Sequence, residues 1–450
     1  MHELNQEQIR ASLPAGGVSL VLAGAGTGKT STLMAKVANV IRYMRIAPEN
    51  ILILTFSRKA AEELRDRVRA GTGMHECGVR AATFHAFCLD LLREYADLFL
   101  AQSGYAAFPS VIGDDERKRL IDNLVYPDLH RFLGIPAGIV YNFMIRYDDF
   151  DTMTARKLKE AGLLDELHLL SVRFAGIKKE KNLIEFEDIM DCAIKLLAAN
   201  PGVRTSVHAR YRYVFVDEFQ DVSDDNFRLL KLILPETGSN LFAVGDDWQS
   251  IYGFRKARIG YTLKMKRYFP EAVIHRLAVN YRSRKEILSL SVRLIRRNRL
   301  RTRKKLVAQK GAGGIVRFYA VNSMEQEAAL IAGVIARSGP GITLAVLYRN
   351  NWQGRYLHKR PGIEDSREGI YFMTMHASKG LEFDAVIIAG ISDEIIPDPE
   401  NNIEEERRLL YVACTRARER LYLIAHRNAN GGMSRFGRDL GMTEKTAPGV

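Results

Sequence analysis

The chain has 450 residues, of which 47% are hydrophobic and 26% charged, the proportions of a water-soluble globular protein with more than one core. No apolar run reaches the ~18 residues of a membrane span, and the polar start MHELNQEQIR lacks the apolar stretch of a secretory signal. Four scattered cysteines, Cys77, Cys88, Cys192 and Cys414, suit neither a zinc ribbon nor a disulfide framework, so a reducing, cytoplasmic setting is expected. The net charge of +13 is concentrated: Arg276 to Lys310 holds 13 Lys/Arg against one acid, Glu286. Such a run attracts polyanions, and nucleic acid is the expected one.

In chain order, Ser19–Leu22 reads as a buried strand, followed by a Gly-rich loop and a helix from about Lys29 to Arg45. Ile51–Phe56 is a second apolar run, with a helical stretch after it, and Val79–Thr83 a third candidate strand. Leu89 to Arg210 changes to a mainly helical pattern. Strands return at Tyr211–Asp217 and Leu241–Val244. After the basic run they recur at Ile315–Ala320, Leu344–Tyr348, Tyr371–Met375, Ala385–Ala389 and Leu421–Ala425. Continuous apolar strands alternating with helices imply parallel sheets covered on both faces. The segment beyond about Gly432 is expected to fray.

Ala23-Gly24-Ala25-Gly26-Thr27-Gly28-Lys29-Thr30 lies between a strand and a helix, where a phosphate loop belongs. Its glycines allow backbone amides to turn inward on phosphate, Lys29 can reach the outer phosphates, and Thr30 can hold Mg²⁺. The strict pattern asks for glycine where Ala23 stands. In VDEFQD (Val216 to Asp221) an apolar strand ends on Asp217 and Glu218, a metal-side carboxylate beside a candidate base.

Further blocks follow in order: GDDWQSIYGFR (Gly245 to Arg255), NYRS (Asn280 to Ser283), MTMHASKGLEFDAVII (Met373 to Ile388) and EEERRLLYVACTRARERL (Glu404 to Leu421). With TFSRKAAEEL (from Thr55) and TFHAF (from Thr83), they resemble the UvrD/Rep-type branch of superfamily 1A DNA helicases from about Leu4 to Ala425, the forms looking closest to DNA helicase IV. The resemblance implies an α/β fold of two RecA-like P-loop domains with parallel sheets plus one inserted helical subdomain. Domain 1A would take 1–88 and 207–278, the insertion 1B 89–206, domain 2A 279–440, and a flexible tail 441–450.

The resemblance also implies roles. Gln8 reads adenine, Tyr281 stacks on it, and Glu382 contacts the ribose region. Ala23, Gly24, Ala25, Gly26, Thr27, Gly28, Lys29, Thr30 and Ser31 cradle the phosphates of ATP. Thr30 and Asp217 hold Mg²⁺, Glu218 is the base, Gln249 senses the γ-phosphate, and Arg282 and Arg416 are arginine fingers. Phe56, Thr83, His85, Tyr252, Phe254, Arg255 and His376 face single-stranded DNA, where stacking tolerates any sequence. Trp248 either joins them or packs under the sensor loop.

Ser31 replaces an arginine common in relatives, and Phe254 a tryptophan. Only 19 residues separate Asn350 from Ile370, where UvrD and Rep proteins insert the helical subdomain 2B, so 2B is expected to be absent. The larger N-terminal extension of helicase IV is also expected to be missing. The implied activity is ATP-driven 3′→5′ translocation on single-stranded DNA and unwinding, in replication, repair or recombination. Single/double-strand junctions, a protein partner or self-association on DNA, and a nucleoid location in a bacterium go with it. A translocase that does not unwind alone and a non-catalytic clamp are the alternatives. A clamp has no need of Lys29, Glu218, Arg282 and Arg416 together.

Overall fold

The computed structural model describes residues 4–72, 78–125, 159–160, 162–363, 368–399, 401–428 and 430–442. The chain forms two compact units, one of Met1–Ala81, Tyr211–Asp224 and Leu234–Val450, the other of Ala82–Arg210 and Asp225–Ile233.

Among the described residues the first unit contains two large sheets and a two-stranded pair. Strands β1 (Val18–Leu22), β2 (Ile51–Thr55) and β3 (Arg80–Thr83) belong to a six-stranded sheet. Two short strands, β4 (Ser110–Ile112) and β5 (Leu183–Glu185), lie in the second unit. The six-stranded sheet is completed by β6 (Tyr213–Val216), β7 (Leu241–Gly245) and β8 (Val273–Arg276) in the order β3-β2-β6-β7-β1-β8. The unit boundary falls within β3. Registers Val18↔Leu241, Ile51↔Tyr213 and Val214↔Leu241 are all parallel. Every residue of β2, β6 and β7 is buried, as their unbroken apolar runs require of strands covered on both faces. Val21, Leu33, Val37, Ile53, Phe215 and Phe242 form the core on one face.

A two-stranded parallel pair, β9 (Val279–Asn280) and β10 (Val307–Ala308), follows. The second large sheet comprises β11 (Ile315–Val321), β12 (Leu344–Tyr348), β13 (Ile370–Thr374), β14 (Phe383–Ile391) and β15 (Ala417–His426) in the order β11-β15-β14-β12-β13, again parallel. The helix Ile403–Cys414 is buried along most of its length, and Tyr411 meets Trp248 edge-on at 5.7 Å. Trp248 is fully buried and donates to the Thr302 carbonyl, so it packs beneath the sensor loop. Between Asn350 and Ile370 the structure describes one short helix, Asn351–Leu357, joining the neighbouring strands β12 and β13.

In the second unit, helices Phe84–Glu94, Ala96–Ser103, Leu164–Glu180, Phe186–Ala199 and Pro201–Arg210 bury Phe87, Phe99, Phe174 and Leu197. The helical reading of this stretch missed the pair β4–β5, whose three-residue strands are too short to show alternation. The expectation of fraying beyond Gly432 also needs correction. Arg435–Leu440 is a helix with Phe436 fully buried, and its Asp439 accepts from Arg407 at 2.9 Å. Residues 443–450 of the expected tail, and Cys77, lie outside the described residues.

Candidate nucleotide site and strand-facing cluster

The loops after β1, β6 and β7 meet at one edge of the first sheet, the C-terminal edge where open parallel sheets bind ligands. β7 lies between β1 and β6, so the sensor loop sits between the phosphate loop and the acidic pair. Ala23 donates to the Gly245 carbonyl at 3.0 Å and does not adopt positive φ, so the first loop position has no need of glycine. Gly26 and Gly28 do need it. Their φ values are +67° and +81°, and a Cβ would stand 2.6 Å from the Arg282 Cβ and 2.4 Å from the Gln8 Nε2 respectively. Lys29 and Thr30 open the following helix, Lys29–Tyr43, and Ser31 is exposed on it.

Three loop carbonyls are held from later in the chain. Ala23 accepts from Lys304 (2.8 Å), Ala25 from the Asn280 side chain (2.6 Å) and Gly26 from the Tyr281 amide (2.8 Å). Thr27 is tied down by its own hydroxyl to the Gly24 carbonyl, and its carbonyl accepts from Gln8 at 3.0 Å. Gln8 also closes a capping box with Asn5, and Asn5 donates to the Tyr281 hydroxyl at 2.8 Å. Gln8 and Tyr281, expected to read and stack on one base, are thereby joined through Asn5. The Tyr281 ring remains 39% exposed.

Asp217 and Glu218 follow β6 directly. The Asp217 amide donates to the Leu54 carbonyl, extending the ladder by one residue. Glu218 then takes the left-handed conformation (φ 51°), a strained choice for a non-glycine residue that turns its carboxylate towards Lys29, 3.2 Å away. Burial, then the neighbouring Glu218, raises the Asp217 carboxyl to about 7. Burial works against the Glu218 charge too, but Lys29 and Lys379 outweigh it and bring the group down to about 2. A buried acid destabilised beside a second acid is what a dication relieves. Among the described residues no group of three or more His, Cys, Asp or Glu could cage a metal by itself. Asp217 and the Thr30 hydroxyl, the expected Mg²⁺ ligands, would share the ion with phosphate oxygens.

A hydrogen-bond chain leaves Glu218. Gln220 donates to its carboxylate (2.5 Å) and accepts from the Asp246 amide (2.7 Å). Asp246 accepts from Gln249 (2.6 Å), and Gln249 accepts from Arg416 (3.0 Å). Arg416 is 1% exposed and also donates to the carbonyls of Val412 and Leu381 and to the Thr415 hydroxyl. Burial, then Arg282, lowers it to about 9, the mark of a guanidinium lacking a carboxylate of its own. Arg282 and Glu382, placed in the same site by resemblance, are paired with each other at 2.5 Å, and Glu382 also takes Arg418.

Lys304 and Lys379 escaped the sequence reading. Lys304 is buried against Asp246 (2.5 Å) and Asp247 (2.6 Å), with the Trp248 ring 4.9 Å away. Nothing distinguishes it from its basic neighbours in sequence. Lys304→Met leaves two fully buried carboxylates without their cation, and a loss of about 3–5 kcal/mol is expected. Chemical denaturation measures it; a loss below about 1 kcal/mol contradicts this role. Lys379, from HASKG after β13, pairs with Asp221 of the VDEFQD hexapeptide and donates to the Gln249 carbonyl at 3.2 Å.

The residues expected to face single-stranded DNA divide. Tyr252 and Phe254 meet edge-on at 5.9 Å, Phe254 and His376 at 5.6 Å, and the Arg255 guanidinium lies 5.5 Å from the Tyr252 ring. Phe254 is 57% exposed. Burial, then Arg349, Lys379 and Arg255, lowers His376 to about 4, leaving it neutral at pH 7. Phe56, the residue after β2, is exposed. Thr83 and His85 fall in the second unit, where Thr83 caps the helix Phe84–Glu94 and His85 stacks on Phe186 at 4.0 Å.

A phosphate loop and acidic strand end on one parallel sheet, reached by an arginine that leads into a strand of a second, define a tandem RecA-like P-loop protein. Family comparison agrees. The UvrD/REP helicase N-terminal domain matches residues 4–270 and the UvrD-like helicase C-terminal domain residues 275–361 and 357–428. The chain belongs to the UvrD/REP helicase family. It is 30% identical over 367 residues to a probable DNA helicase II homolog of Rickettsia felis, covering 79% of this chain and 55% of that protein. To the ATP-dependent DNA helicase PcrA of Staphylococcus epidermidis it is 30% identical over 370 residues, covering 79% and 49%. The chain thus spans about half the length of the curated relatives it matches.

Proposed function

We propose that this protein is an ATP-driven motor on single-stranded DNA, with Mg²⁺ held by Thr30 and Asp217. The observation that carries the reading is the chain from Glu218 through Gln220, Asp246 and Gln249 to Arg416, which joins a hydrolytic base to a cation supplied by the second sheet's side. Bound Mg²⁺ supplies charge neutralisation on the phosphate oxygens. Gln8 and Tyr281 orient the adenine, the loop amides and Lys29 bind phosphate, and Glu218 takes a proton from the attacking water. Arg416 and Arg282 neutralise charge on the transferring group when the lobes close, which couples turnover to lobe motion. Lys379 adds a link, because it touches Asp221, the Gln249 carbonyl and, at 4.6 Å, the Tyr252 ring of the aromatic cluster.

ATPase activity is expected to be low alone and to rise at least about tenfold with single-stranded oligonucleotide; a rate unmoved by DNA sinks the motor reading. Only 19 residues separate Asn350 from Ile370, which favours a second reading, a translocase that separates strands only with a partner or as several copies. Strand displacement on 3′-tailed and 5′-tailed duplexes, at several protein concentrations, decides between the two and tests the 3′→5′ direction.

A further inference from the structure

The basic run sorts into residues whose charge has a structural use, residues that line one cavity, and Lys285 and Arg299, which lie outside both groups. Arg282 pairs with Glu382, Arg284 and Lys310 with Glu419, Arg297 with Asp439, and Lys304 with Asp246 and Asp247. Arg293 reaches the Leu440 carbonyl. These are structural uses of charge. Arg276, Arg296, Arg301, Arg303 and Lys305 have no carboxylate partner among the described residues, and all five line one cavity of about 680 Å³. Five cations converging on one concavity repel one another, and the lining residues include a single carboxylate, Glu7. The carboxylate at the rim, Glu7, is already engaged by the Ala278 amide at 2.7 Å.

We propose that this cavity is a second phosphodiester-binding site, taking the backbone of a nucleic-acid strand outside the aromatic cluster of Tyr252, Phe254 and His376. Its chemistry selects phosphate and not a base. Leu277 and Ala278 are its apolar lining, and among the described residues it offers no aromatic ring. Of the five unpaired cations all but Arg301 stand exposed, as groups that track a flexible polyanion do. Its size admits several phosphates, more than a single small anion needs. It shares no residue with the nucleotide set or the strand-facing set, but Lys304 lines it while donating inward to the Ala23 carbonyl. A strand bound here therefore bears on the segment that holds the phosphate loop.

The proposal rests on the DNA-motor reading only for the identity of its strand. The test replaces Arg276, Arg296, Arg303 and Lys305 by Gln together. Arg301 is kept because it holds the Arg296 carbonyl. Fluorescence anisotropy follows binding of a 12-nucleotide and a 40-nucleotide labelled single strand across salt concentrations, with melting as the folding control. On the long strand the slope of log K against log salt is expected to flatten by about 2–3, at about 0.7 for each phosphate no longer neutralised. Binding of the short strand, which fills the aromatic cluster alone, is expected to stay within about threefold of the parent, a small fraction of the effect on the long strand. An unchanged slope on the long strand overturns the proposal. So does an equal flattening in a control with Lys285→Gln and Arg299→Gln, both outside the cavity, because the run then acts as a diffuse field. Tripolyphosphate that binds the parent but not the variant, with strand binding unaltered, also overturns it in favour of a soluble anion. ATPase stimulation of the parent by the 12-nucleotide strand is read separately: its absence sinks the motor reading and leaves the salt comparison standing.

Discussion

Glu218→Gln is expected to lower ATP turnover by about 10²–10⁴-fold while leaving ATP and single-stranded DNA binding within a few-fold of the parent. The amide retains an oxygen for Lys29 and the shape that Gln220 packs against, so the phosphate loop keeps its neighbours. What it cannot do is accept the proton of the attacking water. The low proton affinity of Glu218, set by Lys29 and Lys379 against its burial, means the parent carboxylate is ionised at neutral pH and available as a base. Single-turnover hydrolysis and equilibrium binding of a labelled nucleotide, measured on one preparation, separate the two effects. Turnover within about tenfold of the parent removes Glu218 from the role.

Arg416→Lys is the second large effect, expected at about 10³–10⁵-fold in turnover. The guanidinium makes a directed fork: one nitrogen goes to the Leu381 carbonyl, another to the Gln249 side chain, and Nε to the Val412 carbonyl. Lysine keeps the charge but cannot span three partners at once. The hydrogen-bond partners of this buried arginine are neutral oxygens, and a phosphoryl group gaining negative charge is the partner that would match its charge. If Arg416 only braces the helix Ile403–Cys414, the lysine variant loses stability and turnover falls only as the folded fraction does. If it acts on phosphate, turnover collapses in protein that melts normally. The melting curve and the rate together tell the two apart.

The parts of the site legible in sequence are those where chemistry and local structure coincide. The Gly-rich loop needs left-handed glycines at positions 26 and 28, and VDEFQD must end an apolar strand, so both leave a pattern within ten residues. Most strands of the two large sheets were legible for the same reason, being apolar runs, but β8, whose VIHR is only partly buried, was not. Lys304 was not, because a buried lysine and a solvated one look alike in a run of Arg and Lys. Its meaning comes from two aspartates nearly 60 residues earlier. Lys379 pairs with Asp221 from 158 residues away and was hidden equally. Thr83 and His85 show what a motif leaves out. The motif is present, yet the hydroxyl caps a helix and the imidazole face is covered by Phe186. Resemblance supplies a role but not the local contacts that compete for the same atoms.

The three phosphate-loop carbonyls fastened by Asn280, Tyr281 and Lys304 alter how defects in this protein should be classified. A loop whose oxygens are already tied outward presents its amides inward before any nucleotide arrives, so little conformational entropy is lost on binding. Stiffness of the loop is therefore a property of residues more than 250 positions away. A substitution such as Asn280→Ala touches no loop glycine and no catalytic charge. It should nonetheless present in a binding assay as a weakened phosphate loop, and a screen that sorts variants by distance from Lys29 along the chain will file it in the wrong place.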